Sequence, residues 1–250
     1  MPVTVDQLRK VAPEQFLSRY RKLWRNQKRE LLKIVGNPPD LSKITDAHWK
    51  RWQKEQTAAL LLLMGGYALY QIRTTLDEFS RTHPEVAERI TEQRQQAIEQ
   101  RFLRDIRQRS AFAARAIART SRRRIRDESD PDSVFSDSRA QMITTTEMTA
   151  ARSAAVHSVF SGMKSVGLSV HLVWRLRPCQ HCEVCPLLDG TTHDFWSQFF
   201  PTGPPIHPRC CCQTEIVIGD KPILLRTGFL KPNPPTYDVR RAIRRNRITW

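Results

Sequence analysis

The chain has 250 residues, with 41 Lys and Arg against 25 Asp and Glu, for a formal net charge of +16. That length supports one or two cored domains. The charge argues against the mixed-sign surface of an ordinary soluble enzyme and points to a polyanionic partner, nucleic acid first and an acidic protein assembly second. The opening segment, MPVTVDQLRK, places no apolar run behind its charges, so no secretory signal is expected.

In chain order, Leu8, Val11, Phe16, Tyr20, Leu23, Leu31 and Ile34 recur at three-to-four spacing. They predict an amphipathic helix from Thr4 to about Val35, with Pro13 near its start. Gly36-Asn37-Pro38-Pro39 ends it. Ser42 or Thr45 is placed to cap a second helix running to about Ser80. That helix begins amphipathically with HWKRWQKEQ and continues through Gln56–Ile72, uncharged for 17 residues. A spanning helix needs about 20 apolar residues, so this stretch reads as a helix buried in a bundle or oligomer, with a membrane-active segment as the second reading. Pro84 opens a third helix, expected to run unbroken to about Arg126.

Residues 101–126 hold ten arginines against one acid, Asp105. Between them, Phe102, Leu103, Ile106, Phe112, Ala113, Ala116 and Ile117 are expected to form a narrow apolar stripe. With almost no acids to pair along the helix, the arginines face either a partner protein or phosphate. The candidates for nucleic-acid contact are Arg101, Arg104, Arg115, Arg119, Arg122, Arg123, Arg124 and Arg126, together with Arg240, Arg241, Arg244 and Arg245 near the C-terminus.

Asp127–Ser138 is acidic and Ser-rich, and the expected organisation divides there. Residues 1–128 form a helical, Arg-rich region and 129–138 an acidic linker. Residues 139–218 form a small module and 219–250 a basic, Pro-containing tail. Within the module, a helix is expected from about Ser136 to Val166, with Gly162 and Gly167 marking its fading end. Val170, Leu172 and Trp174 alternate along a strand over Ser169–Leu176, and Gln213–Ile218 reads as a second strand. The last residues, VRRAIRRNRITW, suit a short basic helix or an extended arm. The expected fold class is therefore α+β: an elongated, mostly helical N-terminal region, then a small α/β module with a zinc-knuckle-like Cys/His cluster and a basic tail.

All six cysteines fall between Cys179 and Cys212. Clustering of this kind in a chain this long suits metal binding in a reducing compartment better than a secreted disulfide scaffold. The segments are Cys179-x2-Cys182-x2-Cys185 and His207-x2-Cys210-Cys211-Cys212. A structural zinc site takes four soft ligands in a tetrahedron, and a strand starting at the second segment can return it to the first. Cys182, Cys185, Cys210 and Cys212 are the favoured ligands and His207 the substitute for one of them; Cys179 and Cys211 are expected to be bystanders. Disulfides or free buried thiols are the alternatives. Asp189, His193 and Asp194 lie close in sequence but show no ordered acid–base spacing, which argues against a catalytic metal.

The motif order resembles the phage head morphogenesis family, the minor head proteins similar to protein F of phage Mu. Met142-Ile143-Thr144-Thr145-Thr146-Glu147 fills the slot of that family's Ile-Ala-Arg-Thr-Glu-like helix, and Ala150, Ala151, Ala154 and Ala155 follow it. Trp174 stands in the strand, Cys182 and Cys185 precede Leu188-Asp189-Gly190, and Pro205-Ile206-His207-Pro208-Arg209-Cys210-Cys211-Cys212 closes the module. Thr145 replaces the family's Arg, and Cys211 replaces the Arg between the last cysteines. The match covers about residues 139–218. It implies a non-enzymatic virion protein, present in several copies inside the capsid at the portal vertex and assembled in the bacterial cytoplasm. The implied partners are the portal ring, packaged double-stranded DNA and the major capsid protein, with no membrane contact. A zinc-dependent nuclease and a free basic nucleic-acid-binding protein are the alternatives from other classes.

Overall fold

The computed structural model describes residues 15–128, 131–219, 233–246 and 248. Leu8, Val11 and Pro13 lie outside them, as does most of the tail before Pro234. The helices are α1 (Phe16–Val35), α2 (Asp46–Thr82), α3 (Pro84–Arg89), α4 (Glu92–Glu128), α5 (Pro131–Val134) and α6 (Asp137–Ser165). Strand β1 (Val170–Arg175) follows, then the short helices α7 (Cys185–Leu188) and α8 (His193–Trp196), strand β2 (Gln213–Ile218) and helix α9 (Thr236–Arg245). Helix dominates, at 71%, and among the described residues β1 and β2 form one two-stranded antiparallel sheet, so the class is α+β as expected.

The third helix is not continuous. It breaks at Ile90–Thr91, where Ile90 leaves helical geometry (φ −97°, ψ 77°). Thr91 is a good N-terminal cap type and Glu92 supplies an acid to the first turn of α4, so a new start competes well with continuation. Pro84 does open α3, at a position where its missing N–H costs nothing.

The structure falls into two compact units that interleave in sequence. The first comprises Met1–Tyr67 and Leu103–Glu147, the second Ala68–Phe102 and Met148–Trp250. In the first, Phe135 links α1 and the start of α2, lying between Trp24 and Trp52, the latter 6.5 Å away. Trp24 lies 4.9 Å from Phe135, Trp49 packs edge-on to Trp52 at 5.1 Å, and Arg139 stacks over Trp24. Three polar contacts cross this seam: the Trp52 indole donates to Glu30 at 2.7 Å, Gln56 donates to Gln27 at 2.8 Å, and Arg51 pairs with Glu30, while the Trp24 indole N–H is buried without a partner. The acidic segment contributes here too, since Val134 and Phe135 are buried. Leu60, Leu63 and Met64 of the uncharged run are buried in this unit, and Ala68, Leu69 and Ile72 in the second. No helix among the described residues is long and apolar enough to cross a membrane.

Within the second unit, α4 and α6 approach closely because Gly162 has no side chain; a Cβ there would lie 2.4 Å from Ile98 Cδ1. Gly162 lies in the last turn of α6, near the end where it was expected. Gly167 terminates the helix. At φ +77° it lets Leu168 N–H reach Met163 O at 3.2 Å and its own N–H reach Lys164 O at 3.1 Å, the paired bonds of a Schellman end. Strand β1 is more buried than its alternation implied, because Val173 and Arg175 are covered as well as Val170, Leu172 and Trp174.

Candidate metal centre and basic helix face

The sheet assembles the cysteine segments. Its register runs from Val170 opposite Ile218 to Arg175 opposite Gln213. The first cysteine segment leaves the chain just after Arg175, and the second enters it just before Gln213. Antiparallel pairing therefore delivers both to the same end of the sheet. The Leu188-Asp189-Gly190 turn docks on the same strand. Gly190, at φ +80°, donates to Trp174 O at 2.9 Å, Trp174 N–H donates to Thr191 O at 2.9 Å, and Asp189 Oδ1 accepts the Leu176 N–H at 3.1 Å. Behind the strand, Trp174 packs against Trp196 at 5.6 Å and Phe200 at 6.1 Å.

Cys182, Cys185 and His207 form one compact donor group, and His181, Cys185 and Cys212 another, each with its ligand atoms within 4.8 Å of one another. Cys182 Sγ lies 3.4 Å from Cys185 Sγ, which lies 3.9 Å from His207 Nε2. A tetrahedron with metal–sulfur bonds of about 2.3 Å has edges of about 3.8 Å, so these separations suit a shared ion. His207 Nδ1 sits 2.8 Å from the Pro208 carbonyl. It must donate there, which turns Nε2 toward the sulfurs, and a metal ion bound at Nε2 would displace the proton held there, the second-shell arrangement of a metal-ligating histidine. The turn is closed by Cys210 N–H to His207 O at 3.1 Å and needs Arg209 at φ +63°.

The crowding sets the electrostatics. A hydrogen bond from Cys185 holds the Cys182 thiol down at about 4, and the one His207 makes with Cys182 lifts the imidazole to about 9. Hydrogen bonding from Cys185 likewise lowers Cys210, while Cys185 itself is raised, first by its bond to Cys182. Cys212 is pushed up to about 12, Cys210 and burial outweighing the bond from Cys185. Thiols this close cannot all ionise without a cation among them. The Cys/His groups can therefore hold a metal ion.

Of the candidates expected from sequence, Cys182, Cys185, Cys212 and His207 fall in these donor groups, and Cys210 lies in hydrogen-bonding reach of Cys185. Two features add to that expectation. Cys179 and Cys211, expected to stand aside from the metal, are joined to each other as a disulfide at the edge of the cluster. His181, overlooked in sequence, places Nδ1 3.7 Å from Cys179 Sγ and 3.8 Å from Cys212 Sγ. Its signal was its position inside the Cys-x2-Cys spacing, which the cysteine count masked. His193 lies apart from the sulfurs, edge-on to Trp196 at 4.8 Å and 5.1 Å from His157. Burial lowers both histidines, so both rings are neutral near pH 7.

Most of the exposed arginines of α4 sort onto one side. At 3.6 residues per turn, Arg101, Arg104, Arg115, Arg119, Arg122 and Arg126 share a face and are exposed, as is Arg123 beside it. Arg124 is half-buried and engaged. The opposite side buries Phe102, Leu103, Ile106, Ala113, Ile117 and Ile125. Phe112 leaves the expected apolar stripe: it is 67% exposed and stands on the arginine face. Arg122 reaches Asp46 at 2.8 Å and Arg126 reaches Asp127 at 2.9 Å, surface pairs that neutralise little. In the tail, α9 buries Val239 and Ala242 and exposes Arg240, Arg241, Arg244 and Arg245, so the basic segment is a helix and not an extended arm.

Comparison with models of known protein families, with curated proteins and with solved structures found no match for this chain.

Proposed function

We propose that the chain is a structural minor head protein of a tailed phage, held at the portal vertex inside the capsid and contacting packaged DNA without sequence preference. The observation that carries this reading is the β1–β2 register. It brings the Cys-x2-Cys segment, the Leu-Asp-Gly turn and the Pro-x-His-Pro-x-Cys segment into one cluster around Trp174, the motifs in which the chain resembles that family. Four thiols and an imidazole favour zinc over other common divalent ions, in a structural role. The exposed arginine face of α4 suits phosphate, whose contact is non-specific and salt-dependent. Asp189, the acid a hydrolytic reading would use, accepts the Leu176 N–H, which favours scaffolding over catalysis.

The test is co-assembly. Mixed with the portal protein of the same phage, the chain is expected to co-sediment as a defined complex with the ring, with or without DNA. Recovery with DNA alone, never with a portal ring, would favour a free nucleic-acid-binding protein. Metal-dependent DNA cleavage abolished by His193→Ala would favour the nuclease.

A further inference from the structure

The first metal site leaves a surplus of donors. Cys182, Cys185, Cys210, Cys212 and His207 are five ligands for four tetrahedral positions, and His181, Cys179 and Cys211 adjoin them. Eight donors fill two tetrahedra. The chain divides them evenly, because each segment carries two donors for either site. Residues 179–185 supply Cys182 and Cys185 to one and Cys179 and His181 to the other; residues 207–212 supply His207 and Cys210 to one and Cys211 and Cys212 to the other.

From this juxtaposition we infer that the loop holds a second metal ion, bound by Cys179, His181, Cys211 and Cys212, and that it is loaded only when the Cys179–Cys211 disulfide is reduced. The ligand class is a thiophilic divalent cation, zinc being the commonest. Cys179, His181 and Cys211 already place their ligand atoms within 4.8 Å of one another. His181 Nδ1 stands 3.7 Å from Cys179 Sγ and 3.8 Å from Cys212 Sγ, near the edge length of about 3.8 Å expected of tetrahedral thiolate zinc. Cys179 is exposed, so a small reductant reaches it.

Disulfide sulfurs are not thiolates and make poor ligands, so loading follows reduction. One small-molecule thiolate attacks the exposed Cys179 sulfur, forms a mixed disulfide with Cys179 and releases Cys211 as a thiolate. A second attacks the external sulfur of that mixed disulfide, leaves as the external disulfide and releases Cys179. Two electrons pass to the protein pair, and two external thiols are oxidised. The metal then binds the two thiolates, with loss to solvent of any proton they carry.

The inference rests on the first-site reading, and metal counting separates the two. The full chain, stripped of metal, is titrated with Co(II) under a phosphine reductant and again after oxidation by oxidised glutathione, following the thiolate charge-transfer band and protein-bound metal. Two equivalents are expected when reduced and one when oxidised, with one in both conditions for Cys179→Ser/Cys211→Ser. His181→Asn, which leaves every cysteine in place, is expected to fall from two to one in reduced protein and covers the case in which the double variant fails to fold. Saturation of the reduced wild type at one equivalent overturns the second site alone. No binding at all overturns the first site with it.

Discussion

At the scale of single residues, the account turns on which buried polar groups have partners. Cys182 is bound on one side by Cys185 and on the other by His207. Cys182→Ser is expected to lose bound metal and to destabilise the sheet and cysteine loop by about 3 kcal/mol, roughly 10–20 °C in their unfolding transition. Calorimetry with metal analysis on the same sample checks both; full metal content in the variant would remove Cys182 from the ligand set. Glu147 poses a different problem. It is buried, and that burial raises its carboxyl above the usual range while the Arg109 guanidinium pulls it back. Arg109→Met strands the carboxylate and is expected to cost about 3–5 kcal/mol at pH 7. Without Arg109 the folded-state pKa lies further above the unfolded one, so the folded form binds the proton more tightly. The variant's stability therefore falls as pH rises through that range, and melting at pH 5 and pH 8 should show the larger deficit at pH 8. The clustering of the cysteines and His207 was legible in sequence because their spacing is local. His181 and the pairing of Cys179 with Cys211 were not, because they depend on how the two segments meet.

At the scale of elements, periodicity was a good guide where one face alone is buried. It placed α1, α2 and both strands, and it separated arginines from apolar residues on α4. It was silent where packing depends on a residue that is absent as a side chain. Gly162 falls near the helix end expected of it, but its close approach to Ile98 leaves no trace in periodicity. Gly162→Val is expected to cost about 2–3 kcal/mol through overpacking, and Ile98→Ala in the same chain should restore part of it. A double-mutant cycle measures this, and additive losses would mean that the two residues do not meet. Phe112 escaped its expected stripe for a related reason: its position on the helix wheel belongs to the arginines, and its apolar character outweighed the angle in the reading. Replacing Arg115, Arg119, Arg122 and Arg126 with Gln should weaken DNA binding equally across sequences and reduce the salt slope by about 3–4. An unchanged slope would assign that face to a protein partner.

At the scale of the whole molecule, the division into two units was hidden from sequence. Its limits at Tyr67, Phe102 and Glu147 fall inside α2, α4 and α6. A mid-helix limit changes which neighbours a helix packs against and leaves its periodicity intact, so no composition shift marks it. The acidic segment does shift in composition, yet Phe135 at its centre is buried against Trp24. The charge of +16 belongs to this scale as well, since it makes association with a dense polyanion favourable before any specific contact forms. The measurement that tests the central claim most directly is the position of the chain in intact virus particles, by electron cryomicroscopy with the chain labelled or deleted. The account predicts density for it in several copies on the inner side of the shell, touching the portal ring and facing DNA. Particles that lack the chain altogether, or carry it only on the outer surface, would contradict it.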